Sequence, residues 1–256
     1  MIKLKKKRSE KMNKTVLITG ASRGLGATIA RVFAKNNYNI ILNYNNSEQQ
    51  AQILTQELKQ YNVEVLPIKA DITKEDEIKK MVIKSLEHFK KIDVLINNAG
   101  IAIDTTFEDK TKENFIKTID TNLIGPFLLS KYVGESMLKE KQGCIINISS
   151  TNGIDSYYEY SLDYDASKAG LISLTHNLAV KYAPYIRVNC IAPGWINTEM
   201  NKNLDKDYIK EEEEKILLNR FGEPDEIAKV VYFLSTDDAK YINNETIRVD
   251  GGTIHA

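Results

Sequence analysis

The sequence predicts a doubly wound α/β fold, a single seven-stranded parallel sheet with helices on both faces. Three observations predict it. Short β-branched runs recur along the whole chain. Most of them are nearly continuous in apolar residues rather than alternating, as strands buried on both faces are. Between them lie stripes of apolar residues at helical spacing, and regular strand–helix alternation means helices layered on a parallel sheet.

In chain order, the expected strands are 15–19 (TVLIT), 40–43 (IILN), 63–68, 94–97 (VLIN), 145–149 (IINIS), 187–192 (RVNCIA) and 246–249 (TIRV). Leu25, Ile29, Val32 and Phe33 mark the helix after the first run. Ile78, Met81, Val82, Leu86 and Phe89 mark the helix before the fourth. Phe115, Ile119, Leu123 and Pro126 outline a long helix with an apolar stripe. Residues 195–220 are expected to form a helical lid. There, Glu211, Glu212, Glu213 and Glu214 face solvent, because four adjacent helical residues cannot converge on one ion. No Pro/Gly/Ser linker divides the chain, so residues 13–256 read as one catalytic domain.

The 256 residues carry 35 Lys+Arg against 35 Asp+Glu, 42% hydrophobic and 27% charged residues. This globular composition excludes a disordered or collagen-like chain and a disulfide scaffold. A balanced charge excludes nucleic-acid binding as the main task. Residues 1–12 hold six Lys/Arg and one Glu, about +5, so the remainder is about −5. That segment is expected to be a disordered extension, with Met12 as an alternative start. No stretch approaches the roughly 20 apolar residues of a membrane span or follows the signal-peptide pattern. Cys144 and Cys190 lie in apolar runs and read as buried, reduced thiols of a cytoplasmic protein. There is no His/Cys/Asp cluster with metal spacing, and no metal is expected.

Gly20-Ala-Ser-Arg-Gly24-Leu-Gly26 follows the first strand and opens the first helix. Glycines there allow close backbone approach to a pyrophosphate, and the helix N-terminus supplies free N–H groups and the positive dipole end. A glycine-rich turn without a ligand is the plain alternative. The placement at the first βα turn favours a dinucleotide in a Rossmann-type arrangement. A carboxylate for the ribose hydroxyls is expected about 20 residues on, yet Asn43, Tyr44 and Asn45 stand there. Its absence permits a 2′-phosphate, and Arg23 is suited to pair with one, unless it is only a solvated loop cation. NADP(H) is therefore preferred, with NAD(H) possible.

Tyr164-Asp-Ala-Ser-Lys168 is the only Tyr-x-x-x-Lys. On a helix the pair projects together, and a cation beside a phenol lowers its pKa toward the working range. Ser149 and Ser150 end the strand just before it, where ligands bind in open α/β sheets. Asn122 falls beside Ile119 and Leu123 on the stripe, and Pro126 has no N–H for the Asn122 carbonyl. Either a kink with a free carbonyl holds a water there, or Asn122 stitches two elements together.

TGASRGLG, Asn97-Asn98-Ala99-Gly100, Ser150, Tyr164-x-x-x-Lys168 and Pro193-Gly194, in this order, resemble the short-chain dehydrogenase/reductases. The likeness runs from about Lys14 to the end, through LNRFGEPDEIA and VDGG. It implies Tyr164 as general acid/base, Lys168 lowering its pKa and holding the nicotinamide ribose, Ser150 orienting the carbonyl, and Asn122 completing a water-linked relay. It implies a cofactor held by Gly20, Ser22, Arg23, Gly24, Leu25 and Gly26 of the loop and by Asn43 and Tyr44. Asp71 and Ile72 would meet the adenine, and Asn98, Ala99 and Gly100 would line the site. Pro193, Gly194, Ile196 and Thr198 would embrace the carboxamide and diphosphate. A helix N-cap for Asp71 and a simple turn for 98–100 are the plain alternatives.

Within the family the chain is most similar to bacterial 3-oxoacyl-[acyl-carrier-protein] reductases. This implies NADPH-dependent ketone reduction, an acyl-carrier thioester or other small carbonyl substrate, and a homotetramer. Lys141 matches one carrier-docking position, while Pro184 and Tyr185 stand at the other. Ser150 and Tyr164 are one residue further apart than in the family pattern. The extra residue lies in a segment whose Tyr157, Tyr158 and Tyr160 either line the pocket or pack a loop. The rival functions are a sugar, steroid or other secondary-alcohol dehydrogenase, and a non-catalytic dinucleotide-binding protein.

Overall fold

A computed structural model describes residues 13–155, 158–198 and 204–253. The strands are β1 (Thr15–Ile18), β2 (Asn39–Tyr44), β3 (Val65–Lys69), β4 (Val94–Asn97), β5 (Gly143–Ile148), β6 (Ile186–Pro193) and β7 (Thr246–Val249). They form one sheet in the order β3-β2-β1-β4-β5-β6-β7, parallel at every pairing. The helices are α1 (Gly24–Lys35), α2 (Glu48–Leu58), α3 (Glu75–Phe89), α4 (Lys112–Ile119), α5 (Gly125–Glu140), α6 (Leu162–Tyr182), α7 (Lys206–Glu214) and α8 (Pro224–Ser235).

The continuous apolar runs serve two cores at once. Side chains alternate across a strand, so Val16 and Ile18 of β1 join one core while Leu17 joins the other. β2 divides Ile40 and Leu42 from Ile41 in the same way, and β4 divides Val94 and Ile96 from Leu95. Ile29, Val32 and Phe33 of α1, Leu54 and Leu58 of α2, and Val231 of α8 close the first core. Met81 of α3, Leu129 and Val133 of α5, and Leu178 of α6 close the second.

The structure departs from the sequence expectation in three places. β3 starts at Val65 rather than residue 63: Asn62 turns the chain at φ 55°, and Val63 is buried without joining the ladder. The long helix through Asn122 is broken. A π-helical turn (Asp120–Ile124) separates α4 from α5, with the Gly125 N–H reaching the Asp120 carbonyl. Pro126 offers no N–H at this point, so the usual i−4 register cannot continue. The apolar stripe is only partly buried: Phe115 is exposed, Ile119 and Leu123 are half-buried, and Asn122 and Pro126 are buried, while Ile116, Ile124 and Phe127 beside it are exposed.

Cys144 and Cys190 are buried free thiols. No described helix is long and apolar enough to cross a membrane. The basic segment 1–12 lies outside the described residues.

Candidate active site

Because all strands are parallel, the loops after β1, β4, β5 and β6 share one sheet edge. The strand order reverses between β1 and β4, and ligands of open α/β sheets bind at this switch point. The glycine loop leaves β1 and Asn98-Ala99-Gly100 leaves β4. Ser149 and Ser150 follow β5, and Gly194 follows β6.

The glycine loop fits a dinucleotide. Gly24 adopts φ +55°, a conformation that favours glycine, and nothing lies within 4 Å of where its Cβ would stand, so its outer face is open. At Gly26 the reason is proximity: a Cβ would come within 2.4 Å of the Gly20 carbonyl oxygen and 2.6 Å of Asn98 Nδ2. α1 begins at Gly24 with no side-chain cap and no acidic residue in its first turn. Its first N–H groups and dipole are therefore available to an anion. Ser22, Arg23, Gly24, Thr28, Asn197 and Thr198 line a cleft of about 590 Å³ against this turn. Arg31 also borders it but is held bidentately by Glu57 at 2.7 and 2.8 Å. Arg23 is exposed and makes no ion pair among the described residues. Gly26→Ala is expected to weaken dinucleotide binding at least tenfold and to lower Tm by several degrees, since overpacking of this kind costs about 1–3 kcal/mol. Fluorescence titration and a thermal melt check this, and wild-type values in both would refute the close-approach argument.

Several expected cofactor residues carry contacts that hold the fold. Asn43 is buried. Its amide nitrogen donates to the Ala70 carbonyl at 3.0 Å, and its Oδ1 accepts from the Gly20 N–H at 3.4 Å. Tyr44 is buried beside it. Asn98 donates to the Thr19 carbonyl at 2.8 Å and so joins the ends of β4 and β1. Ile72 packs on Gly125, where a Cβ would meet it at 3.0 Å. Asp71 is not a helix cap, because α3 starts at Glu75. Its Oδ1 accepts the Thr73 N–H and hydroxyl at 2.9 and 2.8 Å. Ile196 bridges Gly222, and its carbonyl accepts the Thr198 N–H at 2.8 Å. Pro193 and Gly194 lie at the junction with β7.

Ser150, Tyr164, Lys168, Gly100 and Asn122 come together. Ser149 donates its hydroxyl to the Lys168 carbonyl at 2.8 Å, which leaves Ser150 as the serine beside Tyr164. Lys168 is buried, with Nζ donating to the Ile148 carbonyl at 2.8 Å and lying 5.4 Å from the centre of the Tyr164 ring. A Cβ on Gly100 would lie 3.5 Å from that Nζ and 3.3 Å from Asn122 Oδ1. The Asn122 amide is a stitch. It exchanges bonds with both backbone groups of Ile101 at 2.9 Å and donates to Ser167 Oγ at 3.0 Å.

The electrostatics differ from the expectation for the Tyr–Lys pair. With protein groups alone acting on it, burial pushes the Tyr164 phenol up to about 12, against an opposing hydrogen bond from Ser150 and with reinforcement from Asp165 and Asp104. Burial likewise holds Lys168 down at about 8. Tyr164 is therefore a protonated donor at neutral pH.

Sequence reasoning missed the groups around this pair. Asp163 is fully buried, and burial works against its charge. Lys110 at 2.9 Å and Thr118 at 2.7 Å outweigh that and keep it below the usual carboxylate range. Burial raises the Asp104 carboxyl against the pull of Lys110, with Asp163 and Asp165 adding to the rise. The charge of Asp104 adds to the rise of the Tyr164, Tyr158 and Tyr208 phenols. Tyr158 and Tyr160 meet edge-on at 5.2 Å; Tyr157 lies outside the described residues. Of the expected lid, only Lys206–Glu214 is helical among the described residues. Trp195 stacks on Phe221 at 5.4 Å and donates its indole N–H to Glu212 of this helix at 2.9 Å. Lys141 caps α5 just before β5 begins, at the opposite sheet edge from Ser150, with its ammonium over the Tyr185 ring at 5.9 Å.

This fold and site define an oxidoreductase that acts on CH–OH or ketone groups. The chain belongs to the short-chain dehydrogenase/reductase family, whose members use nicotinamide dinucleotides. The family model described as Enoyl-(Acyl carrier protein) reductase matches residues 20–254. The 3-oxoacyl-[acyl-carrier-protein] reductase of Staphylococcus epidermidis is 41% identical over 242 residues, covering 94% of this chain and 99% of that protein. Glucose 1-dehydrogenase 2 of Bacillus subtilis is 34% identical over 243 residues, covering 93% of this chain and 94% of that protein. The crystal structure of a short-chain type dehydrogenase/reductase from Mycobacterium marinum superposes with a TM-score of 0.88 at 32% identity, covering 94% of this chain and 95% of that one.

Proposed function

We propose that the protein is a cytoplasmic, NADPH-dependent carbonyl reductase of the 3-oxoacyl thioester type. The observation that carries this reading is Tyr164, held protonated beside Ser150 with Lys168 one helical turn on. Such a phenol gives its proton to a carbonyl oxygen as that oxygen becomes an alkoxide. Ser150 binds the same oxygen and fixes its position. The buried Lys168 ammonium compensates the phenolate left behind, and Asn122 fixes the wall formed by Ile101 and Ser167. The dihydronicotinamide of NADPH supplies the hydride when bound. Ser22, Gly24 and the α1 N-terminus would hold its diphosphate, with Thr198 across the cleft. The missing carboxylate after β2 and the exposed Arg23, which makes no ion pair among the described residues, support the 2′-phosphate form.

The similarity to acyl-carrier-protein reductases supports a thioester substrate. Lys141, at the far sheet edge of the same chain, gives no docking cation beside this mouth. The exposed apolar strip of Phe115, Ile116, Ile124 and Phe127 along α4 and α5 supports assembly as a homotetramer. The two buried, unbridged thiols suit a reducing compartment.

A second reading, a sugar or other secondary-alcohol dehydrogenase, is favoured by Asp104 and the phenols of Tyr158 and Tyr208. These are hydroxyl-binding groups, and glucose 1-dehydrogenase 2 is among the relatives. The intact Ser150, Tyr164 and Lys168 set argues against a non-catalytic binding protein.

A panel of acetoacetyl thioesters, diketones, sugars and steroids, each with NADPH or NADH and their oxidised forms, tests both readings. The highest kcat/KM is expected for NADPH with an acetoacetyl thioester, and Arg23→Ala should raise the NADPH Kd about tenfold without changing that of NADH. Fastest turnover of a sugar with NAD would establish the second reading and overturn the first.

A further inference from the structure

Asp165 stands inside the Tyr-x-x-x-Lys segment, in the first turn of α6, where a carboxylate suits the helix dipole. Its Oδ1 accepts from Asn152 Nδ2 at 2.8 Å and from Ser161 Oγ at 2.8 Å. Its Oδ2 accepts from the Tyr158 N–H at 3.3 Å. An ionised carboxylate only accepts, so the end of the Asn152 amide that faces it must be the NH2 end. That leaves Asn152 Oδ1 for Ser150, whose hydroxyl donates to it at 3.2 Å. The Asn152 backbone N–H donates back to Ser150 Oγ at 3.2 Å.

A serine hydroxyl has one hydrogen. With that hydrogen on Asn152, it is not given to the Tyr164 oxygen. The hydrogen bonds run in one sense, Ser150 to Asn152 to Asp165, and end on a carboxylate. Bonds aligned in this way polarise one another. The Ser150–Asn152 link is long for an O–H···O bond, so the hydroxyl hydrogen can turn to a ketone oxygen while Asn152, anchored by Asp165, still holds the Ser150 oxygen through its backbone N–H.

We propose that Asp165 is a positioning residue that, through the Asn152 amide, sets the donor–acceptor sense of the Ser150 hydroxyl and so keeps the Tyr164 proton aimed at the reacting oxygen. The proposal rests on the reading of Ser150 and Tyr164 given above and goes beyond it, because neither Asp165 nor Asn152 touches the reacting atoms. Asp165 also holds the segment around Tyr158 and Ser161, and the test must separate that scaffolding from the relay.

Asn152→Ala separates them, because it cuts the link to Ser150 and leaves Asp165 bonded to Ser161 and Tyr158. Steady-state kinetics are measured with NADPH and the fastest ketone of the panel. Both Asp165→Asn and Asn152→Ala are expected to lower kcat about tenfold with KM within about twofold of wild type, as loss of orientation rather than of binding predicts. Placed on Ser150→Ala, each should cost nothing further, because its effect passes through that hydroxyl. A tenfold loss in both backgrounds, or wild-type kcat in Asn152→Ala, would overturn the proposal. A Ser150→Ala enzyme of full activity would overturn the reading of the site itself, a result distinct from any pattern at Asp165.

Discussion

Tyr164→Phe will lower turnover by roughly 10³-fold, within the range that a positioned general acid contributes, and will leave NADPH binding within about twofold of wild type. The asymmetry follows from position. Tyr164 stands beside Ser150, the proposed carbonyl site, whereas the α1 turn proposed to bind the phosphates lies on the other flank of the switch point. Phenylalanine keeps the ring and its contact with Lys168 and removes only the proton donor. Single-turnover absorbance of NADPH separates chemistry from binding. Undiminished turnover would remove Tyr164 from the mechanism, and lost NADPH affinity would mean the ring, not the hydroxyl, is what matters.

Lys168→Met carries the second large effect, and it runs in two directions. Turnover should fall by at least 10³-fold, while the cofactor-free protein should become more stable at neutral pH. Lys168 is buried and held at about 8, against 10.5 when unfolded. Below pH 8 both states carry the proton, and the folded state bears the full cost of burying the charge, about 3 kcal/mol. Between 8 and 10.5 the unfolded state binds more protons, so wild-type stability rises with pH relative to the variant. Methionine removes the buried charge and forfeits one hydrogen bond to the Ile148 carbonyl, about 1 kcal/mol. The net gain of about 2 kcal/mol raises Tm by roughly 4–8 °C in a chain of this size. Melts from pH 6 to 10 should show the gap closing above pH 8. A variant that melts below wild type at pH 7 would mean that the Ile148 bond outweighs the buried charge.

The sheet is legible in the sequence because its strands are buried on both faces, and such strands write themselves as unbroken apolar runs. Each run marks a strand to within one or two residues at its ends. Ser150, Tyr164 and Lys168 are legible because a strand end and an i, i+4 pair bring side chains together by local geometry alone. What stays hidden needs the third dimension. The stripe of Phe115, Ile119, Leu123 and Pro126 shows the period of a buried helix face, and period does not say how far along it the core extends; here Asn122 and Pro126 are buried, Ile119 and Leu123 half-buried and Phe115 exposed. Asn43 and Asn98 stand where the sequence expects cofactor residues, and backbone groups of neighbouring strand ends hold their amides in a way the sequence does not announce. Asp165 lies in plain view inside the catalytic motif. Its meaning depends on Asn152, thirteen residues earlier and across an irregular loop.

The chain has one tryptophan, and Trp195 is placed where a spectroscopist would want it. Its ring lies on Phe221 at the foot of α8, and its N–H is fastened to Glu212 of α7. Indole emission depends on what the N–H touches and on how much water reaches the ring. The protein therefore carries an intrinsic gauge of how closely α7 sits against the cleft that its Ile209 lines beside the glycine loop, readable in the unlabelled protein.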